Sequence, residues 1–292
     1  MRVVDPACVR VIVNTGDDRR FYGVHVSPDL DIVTYTLAGL VDRERGFGLE
    51  GDSFQLIEAL GRLGHETWFR LGDRDFATCQ HRSLRLAEGV GLAAVSDEIR
   101  RALGVAARIL PMSEDPCPTF VEQSGGRRVH FEEYLVRDGA PSDVEGVDLS
   151  AAAAARPAPG VLEAIRDADR LLFCPSNPVV SIGPILAVPG VREALLASRA
   201  RSVAISPIVG GAPVKGPADA LLRGVGAEVS ARGVARLYRE LVGGYVLDER
   251  DAGELPDVEA LGLRALATDT IMRDVDTAAR LAEAALALAA PR

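Results

Sequence analysis

Four aspartates near the amino terminus have the spacing expected of a divalent-cation site. Asp17 and Asp18 follow an apolar run over residues 9–13, and Asp29 and Asp31 follow after a short excursion of the chain. Converging carboxylates repel one another unless a cation lies between them, and Mg²⁺ binds one or two protein carboxylates together with water and phosphate oxygens. The pattern predicts a magnesium site. Turn formation by Asp17 and Asp18 and helix capping by Asp31 explain the same residues equally well.

A second polar segment, residues 70–75, contains Arg70, Gly72, Asp73 and Asp75. A helix that begins near Phe76 would present free N–H donors there, which is a natural seat for phosphate. Helix capping by Asp75 and a solvated pair of Asp73 with its arginine neighbour are the alternative interpretation.

A third segment, Pro-Ser-Asn-Pro at residues 175–178, follows a short apolar strand. Its two prolines restrict the loop and present the hydrogen-bonding side chains of Ser176 and Asn177 over the edge of the sheet. A rigid turn explains the prolines but not the polar pair between them. In open α/β sheets, ligands bind outside the carboxyl ends of strands, so this loop is predicted to bind ligand.

Composition excludes several classes of function. The chain of 292 residues has a formal net charge of -9 and a pI of about 5.1, so it has no basic field for nucleic acid or an anionic membrane. Its four cysteines are scattered without a C-x-x-C pair, which favours reduced thiols over a zinc site. No secretory signal or membrane-spanning apolar run is recognised. We therefore expect a cytoplasmic protein that acts on small molecules.

The elements that must position these residues alternate between helix and strand. Helical patterns cover residues 32–40, 53–63, 76–86 and 96–103, and a hairpin is predicted at residues 119–131 around Gly125 and Gly126. Residues 151–160 suggest a linker or loop, after which helices and strands alternate to the end. The predicted fold is one α/β domain over residues 1–292. It has a Rossmann-like, doubly wound, mainly parallel sheet with a helical and β-hairpin insertion at about residues 32–150.

The motifs occur in an order that is informative as a series. They are Asn-Thr-Gly-Asp-Asp at 14–18, Ser-Pro-Asp-Leu-Asp at 27–31, Leu-Gly-Asp-Arg-Asp-Phe-Ala-Thr at 71–78, Leu-Pro-Met-Ser at 110–113, Pro-Ser-Asn-Pro-Val-Val-Ser-Ile-Gly-Pro-Ile at 175–185, Ser-Pro-Ile-Val at 206–209 and Thr-Asp-Thr-Ile-Met at 268–272. Over almost its whole length, the chain closely resembles the 2-phospho-L-lactate transferase family of coenzyme F420 biosynthesis.

The resemblance implies a Mg²⁺-dependent transfer of a phosphorylated three-carbon acid from its guanosine diphosphate-linked donor to the deazaflavin FO, with release of GMP. Asp17 and Asp31 match the family's acidic metal and catalytic positions, and Asp31 is also the expected acceptor of a ribityl hydroxyl. Arg70 matches a basic position associated with the deazaflavin. Ser176 and Asn177 match the loop on the nucleotide side. The family also suggests a homodimer.

The chain departs from the family pattern at its start. Family members have a strand, a glycine-rich loop and a helix ahead of the strand that residues 9–13 match, and no glycine-rich segment precedes Asn14. We therefore expect the N-terminal βα unit to be missing, together with the backbone N–H groups that it offers to phosphate.

Two other functions fit parts of the sequence. A non-catalytic, nucleotide-sugar-binding regulatory protein of the same superfamily would share the loops at 71–75 and 175–178. The match at Asp31 and Arg70 favours the enzyme. A Rossmann dehydrogenase is disfavoured because no G-x-G-x-x-G motif follows a strand at the N-terminus.

Overall fold

The computed structural model describes residues 3–290, so the two outermost residues at each end of the predicted domain lie outside the described residues. The strands are β1 (Arg10–Val13), β2 (Arg19–Phe21), β3 (Val24–Val26), β4 (Arg108–Pro111), β5 (Phe120–Gln123), β6 (Arg127–His130), β7 (Val144–Asp148), β8 (Leu171–Phe173), β9 (Ser202–Ile205), β10 (Ile208–Val209), β11 (Ala212–Pro213), β12 (Gly244–Asp248) and β13 (Arg264–Thr268).

The α-helices alternate with these strands. They are α1 (Pro28–Ala38), α2 (Gln55–Arg62), α3 (Asp73–Ala87), α4 (Leu92–Ala102), α5 (Ser150–Ala154), α6 (Val161–Asp167), α7 (Ile182–Ala187), α8 (Val191–Ala197), α9 (Ala218–Gly224), α10 (Ala231–Tyr238), α11 (Leu255–Glu259) and α12 (Val275–Leu288). Short 3-10 turns lie at Pro6–Cys8, Ser124–Gly126, Arg199–Arg201 and Glu249–Glu254, and a π-helical turn at Glu133–Arg137. No helix in residues 3–290 is long and apolar enough to cross a membrane.

The carboxyl-terminal half is built on a parallel sheet of four strands in the order β13-β12-β9-β8. Side chains alternate between its two faces. Tyr245 and Leu247 of β12 belong to the largest core cluster, whereas Val246 lies on the other face with Leu281 and Ala285 of α12. Parallel sheets are stable when apolar groups cover both faces, as here. The predicted α/β class with a mainly parallel sheet is confirmed.

The parallel strands form two sheets rather than one continuous sheet. β1 pairs with β4 in a separate two-stranded parallel sheet, with Arg10 opposite Arg108 and Val13 opposite Pro111. β4 therefore lies inside the predicted insertion, residues 32–150, yet belongs to a parallel pair. Within residues 3–290, the segments before and after β4 form helices and antiparallel strands, so no described strand bridges the two sheets.

The predicted hairpin lies in an antiparallel sheet of three strands in the order β6-β5-β7. β5 pairs with β6 across a turn in which Gly125 has a φ of 77°, and β7 pairs on the other side of β5. Glycine suits this turn because the left-handed region strains other residues. The predicted linker at 151–160 is wrong in its first half, where α5 forms. Alanine favours helix, and Ala152 is buried in the core.

Two helices that carry predicted site residues begin earlier than the sequence pattern suggests. α1 begins at Pro28, because proline is preorganised for the first turn of a helix. Asp29 and Asp31 therefore lie in that first turn. α3 begins at Asp73, since Asp52 from a preceding loop accepts hydrogen bonds from the free N–H groups at its start.

Candidate active site

The loop after β1 contacts two other loops through Asn14. Its Nδ2 donates to Oδ2 of Asp29 at 3.0 Å and to the carbonyl oxygen of Val180 at 3.3 Å. Its Oδ1 accepts a hydrogen bond from the N–H of Gly16 at 2.7 Å. The structure therefore brings the amino end of α1 and the loop after β8 to the carboxyl end of β1.

Asp17 lies in this loop with a buried carboxylate. The residue is 5% exposed, and its Oδ1 accepts no hydrogen bond from the described residues. Burial raises the pKa of Asp17 well above its usual range, and the negative charges of Asp29 and Glu132 raise that pKa further. A cation held at Asp17 would give Oδ1 a partner and would reduce the repulsion between Asp17 and the charges of Asp29 and Glu132.

Asp29 and Glu132 complete a cluster of carboxyl groups around Asp17. Burial raises the pKa of Asp29 to about 6 against the opposing hydrogen bond from Asn14. Burial raises the pKa of Glu132 to about 7, with the charge of Asp29 adding to the effect. Glu132 is 5% exposed and lies two residues after His130, the last residue of β6. Three acids of raised pKa therefore lie together at the carboxyl end of β1.

Asp31 lies in a different environment from Asp17. Arg82, on α3, donates from Nη1 to Oδ2 at 3.1 Å and from Nη2 to Oδ1, and the Arg82 side chain is 1% exposed. Burial raises the pKa of Asp31, and the Arg82 charge opposes that rise. A guanidinium already donates to both oxygens, which favours Arg82 over a cation as the partner of Asp31. The assignment of Asp31 as a metal ligand stays a prediction. The Cys79 thiol also donates to Oδ2 at 3.9 Å, whereas Oδ1 keeps a lone pair that can accept a hydrogen bond from a hydroxyl.

Asp75 and Cys79 lie beside this ion pair. Ligand atoms of Asp31, Asp75 and Cys79 lie within 4.8 Å of one another. Burial raises the pKa of Asp75 to about 7, with the charge of Asp31 adding to it, and the Tyr35 hydroxyl donates to Asp75 at 2.8 Å. Arg82 also contacts the Cys79 sulfur at 3.7 Å. Since the guanidinium is the positive charge of this group, we assign no metal to it.

The predicted phosphate seat at the start of α3 is filled by a side chain. Asp52 accepts from the N–H groups of Arg74 and Asp75 at 2.9 and 3.1 Å. A Cβ on Gly72 would lie 2.2 Å from the Asp52 carboxylate, so glycine is required for this approach. The alternative interpretation, in which Asp75 caps the helix, is wrong because Asp52 accepts from the N–H groups at its start. Arg70, three residues before the start of α3, is exposed. The central carbon of its guanidinium, Cζ, lies 4.4 Å from the centroid of the Phe54 ring.

The loop after β8 has the predicted rigid geometry. Oδ1 of Asn177 accepts from the N–H groups of Val179 and Val180 at 2.9 and 3.3 Å, which fixes the loop. The Ser176 hydroxyl has no hydrogen-bond partner among the residues that the structure describes, and it is half-buried. Because Val180 also accepts from Asn14, this loop is connected to the loop that carries Asp17.

Comparison with known proteins decides the family. The family model described as 2-phospho-L-lactate transferase CofD matches residues 4–275. The chain belongs to the 2-phospho-L-lactate transferase family. A phosphoenolpyruvate transferase of Kitasatospora aureofaciens is 46% identical over 96% of this chain and 89% of its own length. A 2-phospho-L-lactate transferase of Methanosarcina acetivorans is 42% identical over 94% of this chain and 88% of its own length.

The fold agrees with a solved structure. A crystal structure of a Bacillus halodurans protein matches with a TM-score of 0.60 and 22% sequence identity, covering 95% of this chain and 91% of that one. At this identity the likeness concerns the fold alone. It agrees with the α/β class predicted for this member of the 2-phospho-L-lactate transferase family.

This member of the 2-phospho-L-lactate transferase family has a cavity of about 440 Å³ beside the carboxyl cluster. Its lining is Thr15, Asp18, Arg19, His25, Leu92, Ser113, Glu114, Asp115, Pro116, Cys117, Pro118, Phe120, Arg128, Val129, His130 and Glu133. Burial lowers the pKa of His130 to about 4, and the Arg19 charge adds to this effect. Arg19 pairs with Glu133 at 2.8 Å. The cavity thus offers the Phe120 ring, two imidazole rings and several polar groups to a ligand.

None of the five site residues predicted from the sequence lines this cavity: they are Asp17, Asp31, Arg70, Ser176 and Asn177. Sequence reasoning missed Glu132, His25 and Arg82. The sequence signals that could have found them were the Glu132–Glu133 pair after a hairpin strand, and a histidine between two apolar strand residues. Nothing local marks Arg82 as buried.

Proposed function

We propose that the protein transfers a phosphorylated three-carbon acid, 2-phospholactate or phosphoenolpyruvate, from its guanosine diphosphate-linked donor to FO, with release of GMP, in coenzyme F420 biosynthesis. The observation that carries the proposal is the family match over residues 4–275, together with transferases over 40% identical across nearly the whole chain. The names of these relatives favour an enzyme over the nucleotide-sugar-binding regulator.

Mg²⁺ is the proposed cofactor, and Asp17 is the residue that fits it best. The orphaned, buried carboxylate oxygen of Asp17 and the neighbouring acids Asp29 and Glu132 suit a hard divalent cation. When bound, Mg²⁺ supplies positive charge that stabilises the phosphoryl oxygens of the donor. Asp31 is left out of the cation site because its oxygens accept from Arg82.

The protein's own contribution is to position the two substrates, since phosphoryl transfer depends more on alignment and charge than on covalent catalysis. Asp31 accepts a hydrogen bond from a ribityl hydroxyl of FO through a remaining lone pair. Arg70 contacts the polar edge of FO, and Phe54 beneath it keeps the guanidinium in place. Ser176 and Asn177 bind the nucleotide side of the donor from a loop that Asn177 itself holds rigid.

The proposal is tested by identifying the product that forms from FO and each candidate donor. FO is incubated with Mg²⁺ and, separately, with guanylylated 2-phospholactate, phosphoenolpyruvate or phosphoglycerate, and the products are identified by mass spectrometry. We expect FO to gain one phosphorylated acid, with one GMP released per product. Binding of the donor without any product, in the presence of FO and Mg²⁺, would contradict the proposal and favour a regulatory protein.

We further propose that the protein works as a homodimer, as the family resemblance suggests. Light scattering during size-exclusion chromatography measures the molar mass directly. A mass of about 62 kDa, twice the 31.0 kDa of one chain, is expected, and a mass of one chain would contradict it.

A further inference from the structure

His25 and Asp18 form a hydrogen-bonded pair at the wall of the cavity. Nε2 of His25 lies 3.0 Å from Oδ2 of Asp18, and the Ser27 hydroxyl donates to the same oxygen at 2.7 Å. The His25 and Asp18 side chains are 24% and 12% exposed. Both residues line the cavity, so the pair is accessible to a ligand there without being a freely solvated surface contact.

The fold fixes the direction of the His25 side chain. His25 is the middle residue of β3, where Val24 and Val26 point into a core cluster, so the imidazole points to the opposite face. Its backbone N–H donates to the Ser83 hydroxyl at 2.7 Å, and its carbonyl accepts from Nη1 of Arg82 at 3.2 Å. α3 therefore anchors the strand residue from behind, and the ring is left to face the cavity.

The Asp18 contact also selects the tautomer of His25. The Asp18 carboxylate accepts a hydrogen bond from Nε2, which therefore carries the ring proton of the neutral imidazole. Nδ1 is then the unprotonated nitrogen, and it has no hydrogen-bond partner in the described part of the chain. An imidazole that a carboxylate orients, with its second nitrogen free at a cavity, is the arrangement of a general base.

We propose that His25, oriented by Asp18, is the general base that removes the proton from the attacking hydroxyl of the acceptor. This inference rests on the proposed transferase function. The hydroxyl proton passes to Nδ1 of His25 as the oxygen bonds to the phosphorus of the acid. The bond from that phosphorus to GMP breaks, and its electron pair stays on the GMP oxygen. The imidazolium then releases the proton to water.

Other charged groups near His25 must be tested separately from it. Asp31 on α1 and Arg82 on α3 lie near His25 and are paired with each other. The cavity also contains Arg19, His130 and Glu133. Glu132, whose pKa is raised to about 7 by burial, is the group most able to accept a proton in place of His25.

The test replaces His25 with glutamine, whose amide N–H can still donate to Asp18 but which cannot accept a proton. The single-turnover rate of product formation isolates the chemical step. We expect His25→Gln to lower this rate by about 100-fold or more. His81→Gln is the matched control, because His81 also pairs with a carboxylate, Glu98, but at an exposed position. It should leave the rate unchanged.

A second variant keeps the test decisive if glutamine disturbs folding. Added imidazole should restore the rate of His25→Ala in proportion to its concentration, while circular dichroism reports whether the fold is retained. An unchanged rate in His25→Gln would overturn the proposal, as would a loss of rate confined to Glu132→Gln. Absence of product with the wild-type protein would refute the transferase function itself. Product from wild type and His25→Gln at equal rates refutes only the role of His25.

Discussion

Replacing Arg82 with methionine is expected to lower the free energy of unfolding by about 3 to 5 kcal/mol at pH 8. The Arg82 side chain is 1% exposed and that of Asp31 is 7% exposed, so the pair lies outside water. Methionine has an unbranched chain that fills much of the same space. The loss therefore comes from the carboxylate of Asp31, which stays buried without its cation, and from the lost bond to the His25 carbonyl.

The penalty should shrink as the pH falls. Burial raises the pKa of Asp31 and Arg82 opposes that rise, so the variant's Asp31 has a still higher pKa in the folded protein. An acid whose folded pKa exceeds its unfolded pKa binds the proton more tightly when folded. Stability relative to wild type is thus recovered as Asp31 becomes protonated on acidification, and it is lost as the pH rises through the folded pKa.

Urea denaturation at pH 5 and pH 8 measures both effects. Arg85→Met is the matched control on the same helix, because Arg85 is 33% exposed in its pairs with Glu88 and Glu98. The free energy of unfolding of Arg85→Met should fall by less than about 1 kcal/mol. Adding Asp31→Leu to Arg82→Met should recover much of the stability. A loss for Arg82→Met no larger than that of Arg85→Met, or one that grows in acid, would refute this reasoning.

Three further predictions concern the site. Asp17→Asn should stabilise the metal-free protein by about 1 to 3 kcal/mol, measured by urea denaturation. The same variant should weaken Mg²⁺-dependent donor binding, measured by calorimetry, and an unchanged Mg²⁺ dependence of binding would contradict the prediction. Glu132, whose pKa rises from 4.5 to about 7 on folding, makes wild-type stability fall as the pH increases through that interval, by about 3 kcal/mol. Glu132→Gln should therefore reduce the change of the urea denaturation midpoint between pH 5 and pH 8. The same pH dependence of the midpoint in wild type and variant would argue against the burial of Glu132. Arg70→Ala should raise the KM for FO by the equivalent of about 1 to 3 kcal/mol, measured by steady-state kinetics, while the free energy of unfolding changes by less than about 1 kcal/mol. An unaltered dependence of the rate on FO concentration would remove Arg70 from the site.

The sequence by itself determined the chemistry available at the loops. Prolines and glycines fix local backbone angles, so the hairpin around Gly125 and the rigid loop at Asn177 could be predicted from neighbours in the chain. Alternation of apolar segments predicted the α/β class. The ordered motifs predicted the family, because their residue types and order are properties of the sequence alone.

Only the tertiary structure decided which of the acids share a site and which are already neutralised. Arg82 reaches Asp31 from 51 positions away, and Asp52 caps α3 from a loop before it. Glu132 raises the pKa of Asp17 across 115 residues (132 − 17). A carboxylate's partner and its loss of water depend on chain segments that packing brings together, and local periodicity carries no information about either. For this reason the sequence predicted aspartates at the site, whereas only the structure showed that Asp31 is paired with Arg82 and that an oxygen of Asp17 has no partner among the described residues.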